Sequence, residues 1–306
     1  MSSSHNNDDR FSSKILLFGE YTLITGSKAL AFPLHKFSGT FTKVDGHMPI
    51  QSHVQLNDFC KYLQGSKMLS DAMDLTRFEK DIEQGCYFDA NIPHGYGIGS
   101  SGALCAAVYA RYAHDFKRKE VYDNHELNLL KDMMALMEGF YHGTSSGLDC
   151  LISLVDRPVL IQGRNNFDLI KEPELDKLGK FYLYDSGKSR KTGPLVQNVL
   201  QKYEQDPKYK QELNKLSTLV DTLIEDTLNH NKNGFKEHLY ELSHAQYLHF
   251  SDMIPDEIKA LWLVGLETKQ YLFKLCGAGG GGFFLVYSDD EVYHKDCDYT
   301  LINEAV

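Results

Sequence analysis

Five of the six residues from Gly277 to Gly282 are glycine, and apolar runs flank them at Tyr271–Cys276 and Phe283–Tyr287. Glycine loses more backbone freedom on folding than any other residue. Such a tract is costly unless the chain there needs positive φ angles or an approach too close for a side chain. A flexible hairpin loop is the bland alternative. A second glycine-rich segment, His94-Gly95-Tyr96-Gly97-Ile98-Gly99-Ser100-Ser101-Gly102, lies between an expected strand (86–92) and an expected helix (104–116). Glycines let backbone N–H groups close around an anion, and the start of a helix presents N–H groups without intrahelical partners. Ser100 and Ser101 add hydroxyls suited to phosphate or Mg²⁺. Gly97, Gly99 and Gly102 also spell GxGxxG. The strand before them is polar at Asp89 and Asn91 and stops at Pro93, unlike the apolar first strand of a dinucleotide-binding unit.

A third segment runs from Glu138 to Asp149 (EGFYHGTSSGLD). Two carboxylates flanking a Ser/Gly turn suit a metal ligand and a proton acceptor; the bland readings are a solvated helix residue for Glu138 and a cap for Asp149. Gly143–Gly147 spells GxSxG, but that nucleophile turn needs a strand before it, and a helix (125–141) is expected here. Gly187-Lys188-Ser189 resembles the end of a Walker A loop, yet Tyr182 stands where its first glycine belongs. His142 reads as a packing or hydrogen-bonding residue, and Met133, Met134 and Met137 as core. The basic run Lys188-Ser189-Arg190-Lys191 reads equally well as solvated charge or as an anion contact.

Of 306 residues, 42% are hydrophobic and 24% charged, an ordinary globular balance that excludes disordered and disulfide-scaffold classes. The formal charge of −10 argues against nucleic-acid binding, which needs a basic footprint. The six cysteines form no CxxC pair and read as reduced, buried thiols. The polar N-terminus lacks the features of a signal peptide, and no run of 18 apolar residues occurs, so a cytoplasmic protein without membrane contact is expected. Strands are expected at 13–18, 29–34, 37–44, 86–92, 159–162, 180–184, 271–276 and 283–287. Helices are expected at 56–64, 68–84, 104–116, 125–141, through most of 192–247, and after Pro255. This irregular mixture predicts an α+β protein of two fused lobes with a boundary near residue 175. The helices at 192–250 would form either a homodimer face or a core.

Taken together and in order, these segments resemble the galactokinase–homoserine kinase–mevalonate kinase–phosphomevalonate kinase (GHMP) family over most of the chain, and the mevalonate kinases most among its members. The first motif is similar to Lys14-Ile15-Leu16-Leu17-Phe18-Gly19-Glu20-Tyr21, the phosphate loop to 97–101 and the catalytic segment to 138–149. A substrate-side stretch is similar to Arg190-Lys191-Thr192, and the last motif to 274–282. Ser12-Ser13 stand where the family has Pro-Gly, Tyr21 where mevalonate kinases have histidine, and Cys150 where asparagine is common. Gly102 is the phosphomevalonate kinase residue at its position. Asp149 argues against homoserine kinase, and the galactokinase sugar signature is absent.

The resemblance implies an N-terminal ribosomal-protein-S5-like α/β lobe (1–175) and a C-terminal ferredoxin-like lobe (176–306). It implies Mg²⁺- and ATP-dependent phosphorylation of a small alcohol, mevalonate first, phosphomevalonate or a sugar as alternatives. A non-catalytic ligand-binding homologue is the reading from a different class. Asp149 is then the base, with Lys14 beside it. Gly97, Ile98, Gly99, Ser100, Ser101 and Gly102 cradle phosphate, and Glu138 with Ser101 or Ser100 holds Mg²⁺. Glu20, which orients substrate or pairs with Lys14, joins Tyr21, Arg190 and Thr192 on the acceptor side. Gly277, Ala278, Gly279 and Gly280 shape the site.

Overall fold

The computed structural model describes residues 9–44, 50–163, 166–189, 192–290 and 299–302. These divide into two compact units. One consists of the chain up to Lys14 with Pro33–Ile92 and Gly99–Arg157; the other consists of Ile15–Phe32, Pro93–Ile98 and the chain from Pro158 onward. Strands β1 (Phe11–Phe18) and β2 (Ala29–Lys43) each contribute to both.

β2 is one strand of 15 residues where the sequence suggests two. It changes partner along its length. In the first unit Gly39–Lys43 pair antiparallel with β3 (Cys86–Ala90). In the second, Ala29–Ala31 pair with β4 (Val159–Gly163), which forms a hairpin with β5 (Asn166–Leu169). Pro33 falls between these two registers, where neither β3 nor β4 requires the N–H it lacks. β1 borders β2, giving the order β1-β2-β4-β5 with β3 on the far part of β2.

The helices of the first unit are α1 (Ile50–Gln64), α2 (Lys67–Ala72), α3 (Leu75–Glu83), α4 (Ser100–Tyr112), α5 (Asn124–His142) and α6 (Leu148–Val155). The single helix expected over 68–84 is two. Met73 is extended and bridges to Ala113, and Asp74 starts α3 afresh by accepting the Arg77 N–H at 2.9 Å. α5 opens with a capping box in which Asp123 and Glu126 satisfy each other's backbone N–H. α4 begins at Ser100, four residues before its expected start, and is lined with small residues. Gly102, Ala103, Cys105, Ala106 and Ala107 are all buried, so α6 packs closely against it. α6 is not expected from the sequence: it is only eight residues long, shorter than the windows in which helical periodicity is read, and seven of the eight are buried.

The second unit carries a four-stranded antiparallel sheet. Its members are β6 (Lys180–Asp185), β7 (Leu272–Leu275), β8 (Phe283–Ser288) and β9 (Tyr299–Leu301), in the order β7-β8-β6-β9. With it lie α7 (Thr192–Gln205), α8 (Pro207–Leu228), α9 (Lys232–His249) and α10 (Asp256–Thr268). Pro255 stands at the N-cap of α10, one residue before the first helical position, so the expected helix after it is found. Trp262 of α10 is fully buried, donates its indole N–H to Ser243 Oγ at 2.9 Å and stacks on Phe273. The short strands β5 and β9 are additions to the sequence reading. The five cysteines among the described residues are free and buried; Cys297 lies outside them. Among the described residues no helix is long and apolar enough to cross a membrane.

Asp156, the C-cap of α6, gives a handle on the stability of the first unit. Burial pushes its carboxyl upward, but the His35 ring at 3.2 Å, the Arg118 guanidinium and the Ser12 hydroxyl outweigh this and hold it below the usual carboxylate range. A carboxyl depressed in the folded state stabilises the fold above about pH 4 and loses that contribution as pH falls through its folded value. Asp156→Asn is expected to lower the urea midpoint at pH 7, with the gap to the parent chain closing as pH is taken down through the acid range. A gap that persists at low pH contradicts this assignment.

Candidate active site

The first unit brings together the residues expected for catalysis. Lys14 enters from β1, nearly buried, and its Nζ lies 2.9 Å from Asp149 Oδ2. The Asp149 side chain is 42% exposed, so one end of this pair faces solvent. Asp149 sits in the first turn of α6, where the helix dipole favours a negative charge. Two glycines set that position. Gly147 is the N-cap of α6 at φ 75°, and a Cβ there would stand 2.1 Å from the Lys131 carbonyl. Gly102 of α4 lies against the Asp149 and Cys150 backbone, and a Cβ there would come within 3.2 Å of it. Gly99, at φ 80°, starts α4 without a side-chain cap, and its missing Cβ leaves room for the Lys14 stem, which would otherwise be 3.1 Å away.

A second cluster surrounds Glu138, buried at the end of α5. Ser101 Oγ donates to Glu138 Oε1 at 3.1 Å, and the Ser145 hydroxyl donates to Oε2. His142 Nε2 lies 3.1 Å from Ser101 Oγ and 4.0 Å from Glu138. Thus Ser101 is the serine on Glu138, a choice the sequence leaves open, and Ser100 is the first residue of α4. Cys150, beside Asp149, is fully buried, and burial with the neighbouring Cys105 thiol holds its own thiol far above the usual range, so it is inert. Among the described residues no group of three or more His, Cys, Asp or Glu forms a metal cage. One buried carboxylate with two hydroxyl partners is an all-oxygen donor set of the kind Mg²⁺ uses when phosphates complete its shell.

The second unit holds the remaining candidates. Glu20 and Lys274 form a buried ion pair, and Glu20 Oε1 also accepts the Gly277 N–H at 3.4 Å. Burial raises the Glu20 carboxyl above its ordinary range, while the Lys274 ammonium pulls it down. The alternative that Glu20 pairs with Lys14 is therefore corrected: the carboxylate faces Lys274, because Gly19 and β7 place them together inside the core. Tyr21, at φ 63°, donates its hydroxyl to the Ala278 carbonyl at 2.6 Å and stacks on Phe250. Both Glu20 and Tyr21 thus contact the entry to the glycine tract.

That tract is tightly packed, which excludes the flexible-hairpin reading. Gly277, Gly279, Gly280, Gly281 and Gly282 all have positive φ. The Gly280 N–H reaches the Met253 carbonyl at 2.6 Å, and the Gly282 N–H reaches that of Lys188 at 2.7 Å. A Cβ on Gly282 would stand 2.7 Å from the Tyr96 carbonyl, and the Tyr96 ring packs on Phe283. Gly97 (φ 75°) and buried Ile98 follow directly. Lys188 pairs with Glu257. Arg190 lies outside the described residues; Thr192 is the first residue of α7, and its side chain lies outside them. Sequence reasoning gave no role to Lys274 or Ser145, whereas His142 was read as a packing or hydrogen-bonding residue and does lie at hydrogen-bond distance from Ser101. For Lys274 the signal was available: a lysine inside an apolar strand needs a buried partner.

Residues 65–157 match the family model for the GHMP kinases N terminal domain. Over 221 residues the chain is 25% identical to a mevalonate kinase of Dictyostelium discoideum, covering 63% of this chain and 55% of that protein, so it spans about half of that relative. Over 280 residues it is 24% identical to a mevalonate kinase of Archaeoglobus fulgidus, covering 88% of each. The structure of L. major mevalonate kinase in complex with R-mevalonate superposes with a TM-score of 0.63 at 16% identity, covering 95% of this chain and 89% of that one. Streptococcus pneumoniae phosphomevalonate kinase, in complex with phosphomevalonate and AMPPNP, gives 0.59 at 16%, covering 92% of each. The fold is that of the GHMP kinases.

Removing the Glu20 charge tests the buried pair. Glu20→Gln leaves the Lys274 ammonium without a carboxylate and is expected to cost about 3–5 kcal/mol in urea unfolding. Glu20→Gln combined with Lys274→Met is expected to recover much of that loss. A single variant as stable as the parent chain would show that the pair is not formed.

Proposed function

We propose that this chain, which carries the GHMP kinase N-terminal domain at residues 65–157 and the fold of those kinases, transfers the γ-phosphoryl group of ATP to the hydroxyl of a small metabolite, with mevalonate as acceptor and 5-phosphomevalonate as product. The observation that carries this reading is the Lys14–Asp149 pair, 2.9 Å apart and open to solvent on the Asp149 side.

Phosphoryl transfer asks mainly for positioning and charge stabilisation. Asp149 accepts the proton of the acceptor hydroxyl as its oxygen attacks the γ-phosphorus. Lys14, 2.9 Å from Asp149, stabilises the negative charge that grows on the attacking oxygen. The segment 97–102, with the uncapped start of α4, supplies backbone N–H groups to the phosphates. Glu138 and Ser101 would hold Mg²⁺, which would offset the negative charge of the ATP phosphates. Arg190 and Thr192 are assigned to the acceptor; an arginine there suits a carboxylate. The net charge of −10 provides no long-range attraction for ATP, so these local groups must supply the binding.

Mevalonate is preferred as acceptor because both curated relatives are mevalonate kinases. Gly102 had favoured phosphomevalonate, but its contact with the α6 backbone gives it a packing reason independent of the acceptor. Phosphomevalonate kinase is the second reading, supported by the likeness to the Streptococcus enzyme. The presence of Lys14, Glu138 and Asp149 together argues against a binding-only homologue.

ADP release with Mg-ATP, measured against mevalonate, phosphomevalonate and a panel of sugars, tests the reading. Turnover with mevalonate alone is expected; turnover with phosphomevalonate instead would select the second reading, and silence with ATP still bound would favour a binding protein. Asp149→Asn is expected to reduce kcat by about 10²-fold or more with nucleotide affinity little changed. Arg190→Ala is expected to raise KM for the acceptor well above any change for ATP. An equal effect on both would remove Arg190 from the acceptor side.

A further inference from the structure

The kinase reading assigns roles to Glu138 and Ser101 but none to Ser145, although Ser145 holds the other oxygen of the same carboxylate. Its hydroxyl donates to Glu138 Oε2 and accepts the Gly147 N–H at 3.0 Å. Gly147 is the N-cap of the helix that presents Asp149. One side chain is therefore fixed at both ends, to the end of α5 and to the start of α6. A hydroxyl that accepts a backbone N–H has its own proton free for a single acceptor, and that acceptor is Oε2.

The two oxygens of Glu138 consequently differ. Oε2 is tied to half-buried Ser145. Oε1 lies on the side of Ser101 and His142, and the His142 side chain is 56% exposed. Oε1 accepts the Ser101 hydroxyl, but Ser101 is itself assigned to the cation, so a cation arriving with nucleotide would displace that hydrogen bond and meet Oε1. Ca²⁺ takes six to eight oxygens and accepts carboxylates through one oxygen or both; Mg²⁺ demands a tight octahedron and binds through one or two carboxylates with phosphates and water.

Resting on the kinase reading above, we propose that Ser145 is a positioning residue that sets cation preference. By holding Oε2 it leaves Glu138 one oxygen to offer, which suits Mg²⁺ and disfavours the two-oxygen mode open to Ca²⁺. The residue acts through Glu138.

The test is calorimetric, on the full chain, with the affinities of Mg²⁺·AMPPNP, Ca²⁺·AMPPNP and metal-free AMPPNP measured for the parent, Ser145→Ala and Ser145→Thr. Ser145→Ala is expected to weaken Mg²⁺·AMPPNP by about 10-fold or more, the usual effect of removing a group that orients a metal ligand. Ca²⁺·AMPPNP is expected to weaken far less, so the Mg²⁺/Ca²⁺ ratio falls, and metal-free binding stays as it was. Ser145→Thr keeps the hydroxyl and is expected to restore the ratio. An unchanged ratio in Ser145→Ala overturns the proposal, as does an equal loss for both cations together with a lowered melting temperature. If the parent chain binds Mg²⁺·AMPPNP no better than AMPPNP alone, the kinase reading falls and this inference with it. Mg²⁺-dependent binding in the parent with an indifferent Ser145→Ala removes only the role of Ser145.

Discussion

The close approach of α4 to α6 is the constraint on which the candidate site depends. At Gly102 the backbones of the two helices meet with no side chain between them, and the alanines that follow on α4 keep the spacing short. This contact fixes where α6 begins. Gly147 then turns the chain into α6 at a point where the Lys131 carbonyl leaves no space for a Cβ. Asp149 is in the first turn that results, and Lys14 reaches it at 2.9 Å. A carboxylate placed this way has its position set by backbone packing, which is stiffer than any side-chain hydrogen bond.

In the first unit the chemistry-bearing residues come from elements that are fixed independently. Lys14 is on a strand, Ser101 on the first turn of α4, Glu138 on the last turn of α5 and Asp149 on the first turn of α6. Helix ends gather here because they expose unpaired backbone groups and because glycines at Gly99 and Gly147 turn the chain sharply. The hydrogen bonds of Ser101 and Ser145 to one buried carboxylate give Glu138 a defined orientation before any ligand arrives. The second unit uses a different device. A buried Glu20–Lys274 pair and the Tyr21 hydroxyl fasten the start of the glycine tract, and the tract's own N–H groups find carbonyls of Met253 and Lys188.

Much of this was legible in the chain. Glycine spacing marked both tight segments because only glycine accepts positive φ without strain. Helix α5 was expected at 125–141 and the region of α7 to α9 as mostly helical, whereas the Asp123/Glu126 box that opens α5 emerged only with the structure. What was missed has physical reasons. α6 spans only eight residues, too few for a helical period to stand out in the sequence. β2 reads as two strands because the polar pair His35-Lys36 separates its apolar run from its alternating one, and only its two partners reveal why Pro33 is tolerated within it. The Met73 break in the expected helix is imposed by a bridge to Ala113, 40 positions away.

By itself the sequence determined the residue types and their order: a lysine before Gly19, a Ser-Ser-Gly after a glycine loop, two carboxylates eleven positions apart and a late glycine tract. In that order they resemble the GHMP kinase pattern, and it is the resemblance that implies phosphoryl transfer. Only the tertiary structure decided which partner each group takes. Glu20 faces Lys274 and Lys14 faces Asp149; Ser101 and Ser145 divide the two oxygens of Glu138. Pairings of this kind depend on distances between elements far apart in the chain. Those distances are set by helix and sheet packing, to which local residue patterns are blind.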